Sequence, residues 1–216
     1  MAIRVLLLAL WLLLPPAHAG GAISPAEQQV FSDAHLANLG AAATLHYGYR
    51  KTEAGKAAVD DEAVLTARSE GEGGRTVRVD YLHGERHLEL PDVEGATGNP
   101  LILHFLEADV RAMHRRLGGQ ENYFRRRIRL ALADNARVEP VSIVWAGKAV
   151  AASRVTIRPY ADDPLKERFR GLDGKSYQFT LSDQVPGGVY DLRTRVDDPA
   201  AAGAALEEET LTLRGN

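Results

Sequence analysis

Apolar positions follow two different periods along this chain, and the change of period outlines its elements. From about residue 45 the period is two. Leu45, Tyr47 and Tyr49 alternate with His46 and Arg50, and Ala63, Leu65 and Ala67 alternate with polar or small neighbours. Val77, Val79 and Tyr81 alternate with Arg78 and Asp80, and Leu88 and Leu90 follow a tight turn at His83–Gly84–Glu85–Arg86. Such alternation marks strands with one buried face. Four antiparallel strands are expected here, with a turn at Gly71–Glu72–Gly73–Gly74 and a loop from Pro91 to Gly98. The same period returns after residue 136. Arg137–Trp145 and Lys148–Arg158 form a hairpin turning at Ala146–Gly147, and Pro159 to Gly174 is irregular. Ser176–Ser182 and Tyr190–Val196 alternate on either side of Val185–Pro186–Gly187–Gly188. A last strand lies near Thr210–Leu213. About nine strands are expected.

Between the two groups of strands the period is helical. Asn99 caps a first helix and Pro100 takes its first position. Ile102, Leu106, Val110, Met113 and Leu117 share one arc with Leu103 beside them, while His104, Arg111 and Arg115 lie opposite, where water is expected. Glu107 and Arg111 have the spacing of an i, i+4 pair. After Gly118–Gly119, Phe124, Ile128, Ala131 and Leu132 make the apolar face of a second helix, widened by Tyr123 and Leu130. An earlier helix, Pro25 to about Leu39, starts with the capping-box pattern Ser24–Pro25–Ala26–Glu27.

The order helix, strands, helix pair, strands defines an α+β protein. We expect a curled, half-barrel-like antiparallel sheet of about nine strands, covered by the N-terminal helix and the central helix pair. Residues 20–216 form one such domain, with the helical insertion at 99–133. Residues 1–19 read as a signal peptide: Arg4, an apolar run from Val5 to Leu14, the break at Pro15–Pro16, and a cleavage site at Ala17–His18–Ala19. Ten or so apolar residues are too few to span a bilayer.

Composition narrows the setting. The 216 residues include no cysteine, which removes disulfides, thiolate chemistry and a lipid-modified cysteine anchor. No stable membrane anchor is therefore expected, and a periplasmic location is. There are 26 basic and 29 acidic residues, and without Arg4 the balance is 25 to 29, or −4. That balance disfavours nucleic acid as a partner. The charge is uneven, however. Seven arginines and one acid, Glu121, lie between Arg111 and Arg129, while acids gather at Asp60–Glu62 and Glu207–Glu209.

Three of the helical charges break the amphipathic division. Asp109 and Arg116 fall at the edge of the apolar arc, and Arg127 falls between Tyr123 and Ala131. A desolvated arginine requires a partner. Asp109 is the nearest by sequence, and an anionic ligand is the other choice, since a guanidinium suits carboxylate or phosphate. Arg125, Arg126 and Arg129 belong on the wet face. Other constellations carry little. His83 and His87 beside Asp80 lack a third metal ligand at usable spacing. His104 and His114 are ten apart, on different sides of a helix. Ser182–Asp183 and Asp162–Asp163 are turn residues without triad spacing. The glycine clusters match no nucleotide-binding pattern. No cofactor, metal site or catalytic residue is expected, and no enzymatic activity.

Two segments, FLEADVRAMHRRLGGQENYFRRRIRLAL (Phe105–Leu132) and YQFTLSDQVPGGVYDL (Tyr177–Leu192), resemble an uncharacterised family of exported proteobacterial proteins. That family transfers no residue roles. More distantly, the order of elements resembles the LolA/LppX-type periplasmic carriers. The resemblance implies a curled sheet closed by helices around an apolar cavity that holds acyl chains. Two functions are then in view. One is a carrier or binding protein for a lipid or other amphiphile, with acyl chains against Leu106, Val110, Met113, Tyr123 and Phe124, and an acidic headgroup at Arg127 and Arg116 beside Asp109. The other is an envelope interaction module that uses the arginine surface against an acidic protein partner or an anionic membrane face.

Overall fold

The computed structural model describes residues 23–71 and 74–215; the expected signal peptide, and Glu72 and Gly73 of the expected glycine turn, lie outside them. Every strand but β4 falls on a period-two segment: β1 (Ala42–Glu53), β2 (Val59–Ser69), β3 (Arg75–Tyr81), β4 (Val93–Ala96), β5 (Arg137–Trp145), β6 (Lys148–Ile157), β7 (Ser176–Leu181), β8 (Val189–Asp197) and β9 (Ala205–Leu213). They make one antiparallel sheet in the order β4-β3-β2-β1-β9-β8-β7-β6-β5, which does not close into a barrel. The sheet consists of two meanders, β1–β4 and β5–β9, joined where β1 pairs with β9.

The alternating apolar residues line its inner face. Tyr47 and Tyr49 of β1, Leu65 of β2, Val77 and Tyr81 of β3, Phe179 of β7 and Leu211 of β9 are all buried. Each removes enough apolar surface from water to stabilise by roughly 1.5–3 kcal/mol. The β5–β6 hairpin turns at Ala146 and Gly147, with φ of 47° and 74°. Two successive positive φ values give the turn whose twist matches that of paired strands.

Two helices cover the inner face. α2 (Leu101–Leu117) follows β4 and α3 (Glu121–Asp134) leads into β5, so the pair carries the chain from one sheet edge to the other. The Asn99 side chain accepts from the Leu101 N–H at 3.0 Å and starts α2. Its Nδ2 donates to the Gly187 carbonyl at 2.8 Å, which ties the same point to the β7–β8 turn. Ile102, Leu106, Val110 and Met113 face the core as expected, and Glu107 pairs with Arg111 at 3.2 Å. Leu103 instead stays 51% exposed. His104, expected in water, is buried and stacks on Tyr81 with ring centres 5.9 Å apart. The chain after β3 explains this, because Leu82 and Leu88 are buried beside that flank of α2.

Two further expectations are corrected. The expected strand at Leu88–Leu90 amounts to a single bridge, Tyr81 to Leu88, and the fourth strand is Val93–Ala96, inside the expected loop. Leu88 alternates with polar neighbours because it packs in the core, whereas Gly95 (φ 66°) disguises the true strand. The N-terminal helix does not reach Leu39. It begins at the expected capping box as α1 (Pro25–Glu27), widens into a π turn (Gln28–Ser32), breaks at an extended Asp33, and resumes as a 3₁₀ turn (His35–Asn38). Long-range contacts impose the break. The Leu36 N–H donates to the Thr97 carbonyl at 3.1 Å, and the Asn99 N–H donates to His35 Nδ1 at 3.2 Å. His35 Nε2 therefore carries the proton and donates to the Gln29 carbonyl at 2.8 Å. Ser24 closes the other end, since its hydroxyl donates to the Leu132 carbonyl at 2.9 Å, at the end of α3.

Burial lowers the pKa of His35 against weaker upward pulls from Gln29 and Asp33, and burial lowers that of His104 too. For both, the unfolded chain takes up the proton first as pH falls. Their contribution to stability is therefore present above about pH 6.5 and declines below it. Thermal melts should show Tm falling between pH 7 and pH 5, with a shallower fall in His35→Gln. Parallel slopes for the two proteins would remove His35 from this account.

Candidate functional site

The structure distributes the helical residues among three places. The first is a polar network between α2 and the inner face. Asp109 is 5% exposed and its carboxylate accepts from Lys175 Nζ and the Tyr177 hydroxyl. The Tyr160 hydroxyl lies 3.2 Å from that of Tyr177. Lys175 precedes β7 and is 2% exposed, so this is an ion pair in the core. Beside it, Arg116 reaches Glu207 of β9 at 2.5 Å, and Lys51 of β1 bridges Glu207 at 3.0 Å and Glu209 at 2.6 Å. Burial pushes the Glu207 carboxyl upward, but Lys51, Lys175 and Arg116 outweigh it and hold the pKa at about 2. The three cations Lys51, Arg116 and Lys175 match the three carboxylates Asp109, Glu207 and Glu209. Such a balanced set fixes α2 on the sheet.

The second site lies on the far flank of α3. Arg127 Nε sits 2.8 Å from the carboxylate of Asp163 and donates to the Pro159 carbonyl at 3.1 Å. The Tyr123 hydroxyl donates to the same carboxylate at 2.6 Å, and the Leu165 N–H donates to it at 2.7 Å. Burial first, and then the hydrogen bond and charge of Asp163, raise the Tyr123 phenol to about 12. The partner of Arg127 is thus Asp163 and not Asp109. Asp163, a turn residue by its sequence setting, has a fully buried side chain. This group anchors the irregular segment 159–174, whose Phe169 and Tyr160 pack edge-on against Phe124.

The third site opens to solvent. A groove of about 390 Å³ runs between α2 and α3 toward the N-terminal turn, lined by Phe31, Leu90, Leu103, Leu106, Val110 and Ile128. Glu27, Glu107, Arg125 and Arg129 form its rim. A second hollow of similar volume continues past Phe31 and Leu103 to Val93, Ala96 and Pro100. Arg125 is held by Glu107 at 2.7 Å and Glu121 at 2.7 Å, and among the described residues Arg129 makes no ion pair. The hydrogen bonds from Arg125, and after them that from Arg111, lower the Glu107 pKa despite its partial burial.

Of the eight residues singled out from sequence, Leu106 and Val110 therefore share the groove. Met113 and Phe124 belong to the packed core. Asp109 and Arg116 are in the first network, and Tyr123 and Arg127 in the second. Phe31, Leu103 and Arg129 complete the groove, and Lys175 and Asp163 complete the networks. Lys175 had a legible signal, because it stands two before Tyr177 and so shares the inward parity of β7. Among the described residues no group of histidine and carboxylate side chains is arranged to hold a metal ion. No described helix is long and apolar enough to cross a membrane.

No protein-family profile matches the chain, and no curated protein matches it. Among solved structures, the Mycobacterium tuberculosis lipoprotein LppX is similar over 79% of this chain and 84% of its own, with a TM-score of 0.31 and 10% identity. The likeness is one of distant architecture, and nothing about a ligand follows from it.

The ion pair in the core yields a direct test. Lys175→Met leaves Asp109 as an uncompensated buried charge and should cost about 3–5 kcal/mol of stability. Adding Asp109→Leu removes that charge and should restore most of the loss. Urea unfolding of the two variants and the wild type measures both steps, and a double variant no better than the single one would show that the pair is not the source of the cost.

Proposed function

We propose that the protein binds an amphiphile at the cell envelope, with the apolar chain in the groove between α2 and α3 and an acidic head at Arg129. The observation that carries this reading is the groove itself. It is an open, apolar-walled channel in the helix layer, and Leu103 stays half-exposed where the helical period would bury it. Exposed apolar grooves with a polar rim are characteristic of ligand sites. Its volume of about 390 Å³ falls in the range of small-molecule sites. Arg129 supplies a guanidinium at the rim for a carboxylate or phosphate. The signal-like leader and the lack of cysteine support an exported, periplasmic setting.

This reading moves the ligand from beneath the helices to their outer side. It keeps Leu106 and Val110 as contacts and gives the structural charges Asp109, Arg116 and Arg127 no part in binding. Native mass spectrometry after gentle extraction should find the protein with a bound amphiphile. Titration with a fluorescent fatty acid should give saturable binding that Leu103→Glu weakens at least about tenfold, since it places a charge on the groove wall. Arg127→Ala should leave that affinity unchanged. Equal affinity for wild type and Leu103→Glu would exclude the groove.

A further inference from the structure

The outer surface of the helix layer is basic as well as apolar. Besides Leu103, it exposes Leu130 on α3 (40%) and Phe31 in the N-terminal turn (37%). Arg111, Arg115, Arg125, Arg126 and Arg129 occupy the outward positions of the two helices. Glu107 holds Arg111 and Arg125, and Glu121 holds Arg125. Arg115, Arg126 and Arg129 make no ion pair among the described residues. The face thus combines exposed apolar side chains with three uncompensated cations. It does so on a protein whose formal net charge is −3. The other acids nearby are Asp134 at the end of α3, Glu27 at the rim of the groove, and Glu85 and Glu209, which line a hollow with Arg111 and Arg115; Glu209 is paired with Lys51.

We propose that this face docks onto an anionic lipid surface. The inference rests on the amphiphile-binding reading and extends it, because docking would bring the mouth of the groove to the source of its ligand. Charge complementarity selects the partner. A bilayer rich in anionic headgroups attracts unpaired arginines near its surface, and Leu103, Leu130 and Phe31 enter the headgroup boundary as the apolar residues of surface-lying helices do. An acidic protein would satisfy the arginines but leaves the exposed leucines without a function. The helices do not insert; they lie flat, backed by the sheet.

Vesicle co-sedimentation tests this. The full-length protein should bind vesicles of phosphatidylglycerol and phosphatidylcholine (3:7), more weakly at 300 mM than at 50 mM NaCl, and should not bind pure phosphatidylcholine. Arg115→Gln with Arg126→Gln, two residues outside the groove, should lower the affinity roughly thirtyfold. The same double variant should bind the soluble fluorescent fatty acid as wild type does, with an unchanged melting curve. Equal binding to both vesicle types, no binding to either, or no effect of the double variant would overturn the docking proposal. If the fatty acid binds in those cases, the groove reading stands without it. If anionic vesicles bind and the fatty acid does not, docking stands and the groove reading fails.

Discussion

The route of the chain between β4 and β5 constrains everything else in this protein. These strands are the two edges of the sheet, and one continuous segment must connect them. A segment that crosses a sheet face has to satisfy its own backbone and present apolar side chains below, and a pair of amphipathic helices does both. Once α2 and α3 take that path, the inner face is buried and the outer face becomes the largest helical surface available to partners. The Asp109–Lys175 pair then fixes where α2 rests. Two opposite charges in the core gain little over a well-packed apolar pair, but they tolerate no displacement that would separate them.

Charge placement divides the helix pair into structural and solvent-facing parts. Asp109, Arg116 and Arg127 each engage a partner on another element, respectively Lys175, Glu207 and Asp163. Each of these pairs ties a helix to the sheet or to the segment that precedes β7. Arg115, Arg126 and Arg129, on the wet face of the helical wheels, make no ion pair among the described residues. In this protein the arginines at the edge of the apolar arcs hold the fold.

Local signals are legible in this sequence, and long-range ones are not. The capping box at Ser24, the cap at Asn99, the Ala146–Gly147 turn and the alternation of every strand but β4 are all short-range, and each has the form expected of it. The helix break at Asp33 is dictated by His35 meeting Asn99, 64 residues away in the chain. The burial of His104 depends on what the chain does after β3. Arg127 found Asp163 because the irregular segment folds under α3, which no periodicity reveals. The candidate site was half legible for the same reason. Leu106 and Val110 follow from the helical wheel, whereas the groove exists only because Phe31 and Leu90 arrive from elsewhere.

The pairing of β1 with β9 has a consequence for how the molecule forms. Tyr47 pairs with Leu213, so the central seam of the sheet joins the first strand to the last. Neither meander buries its inner face against the other until that seam closes. Contacts of such long sequence separation slow folding, because loop closure must precede their reward. The chain therefore cannot complete its core while its C-terminal strand is still being made.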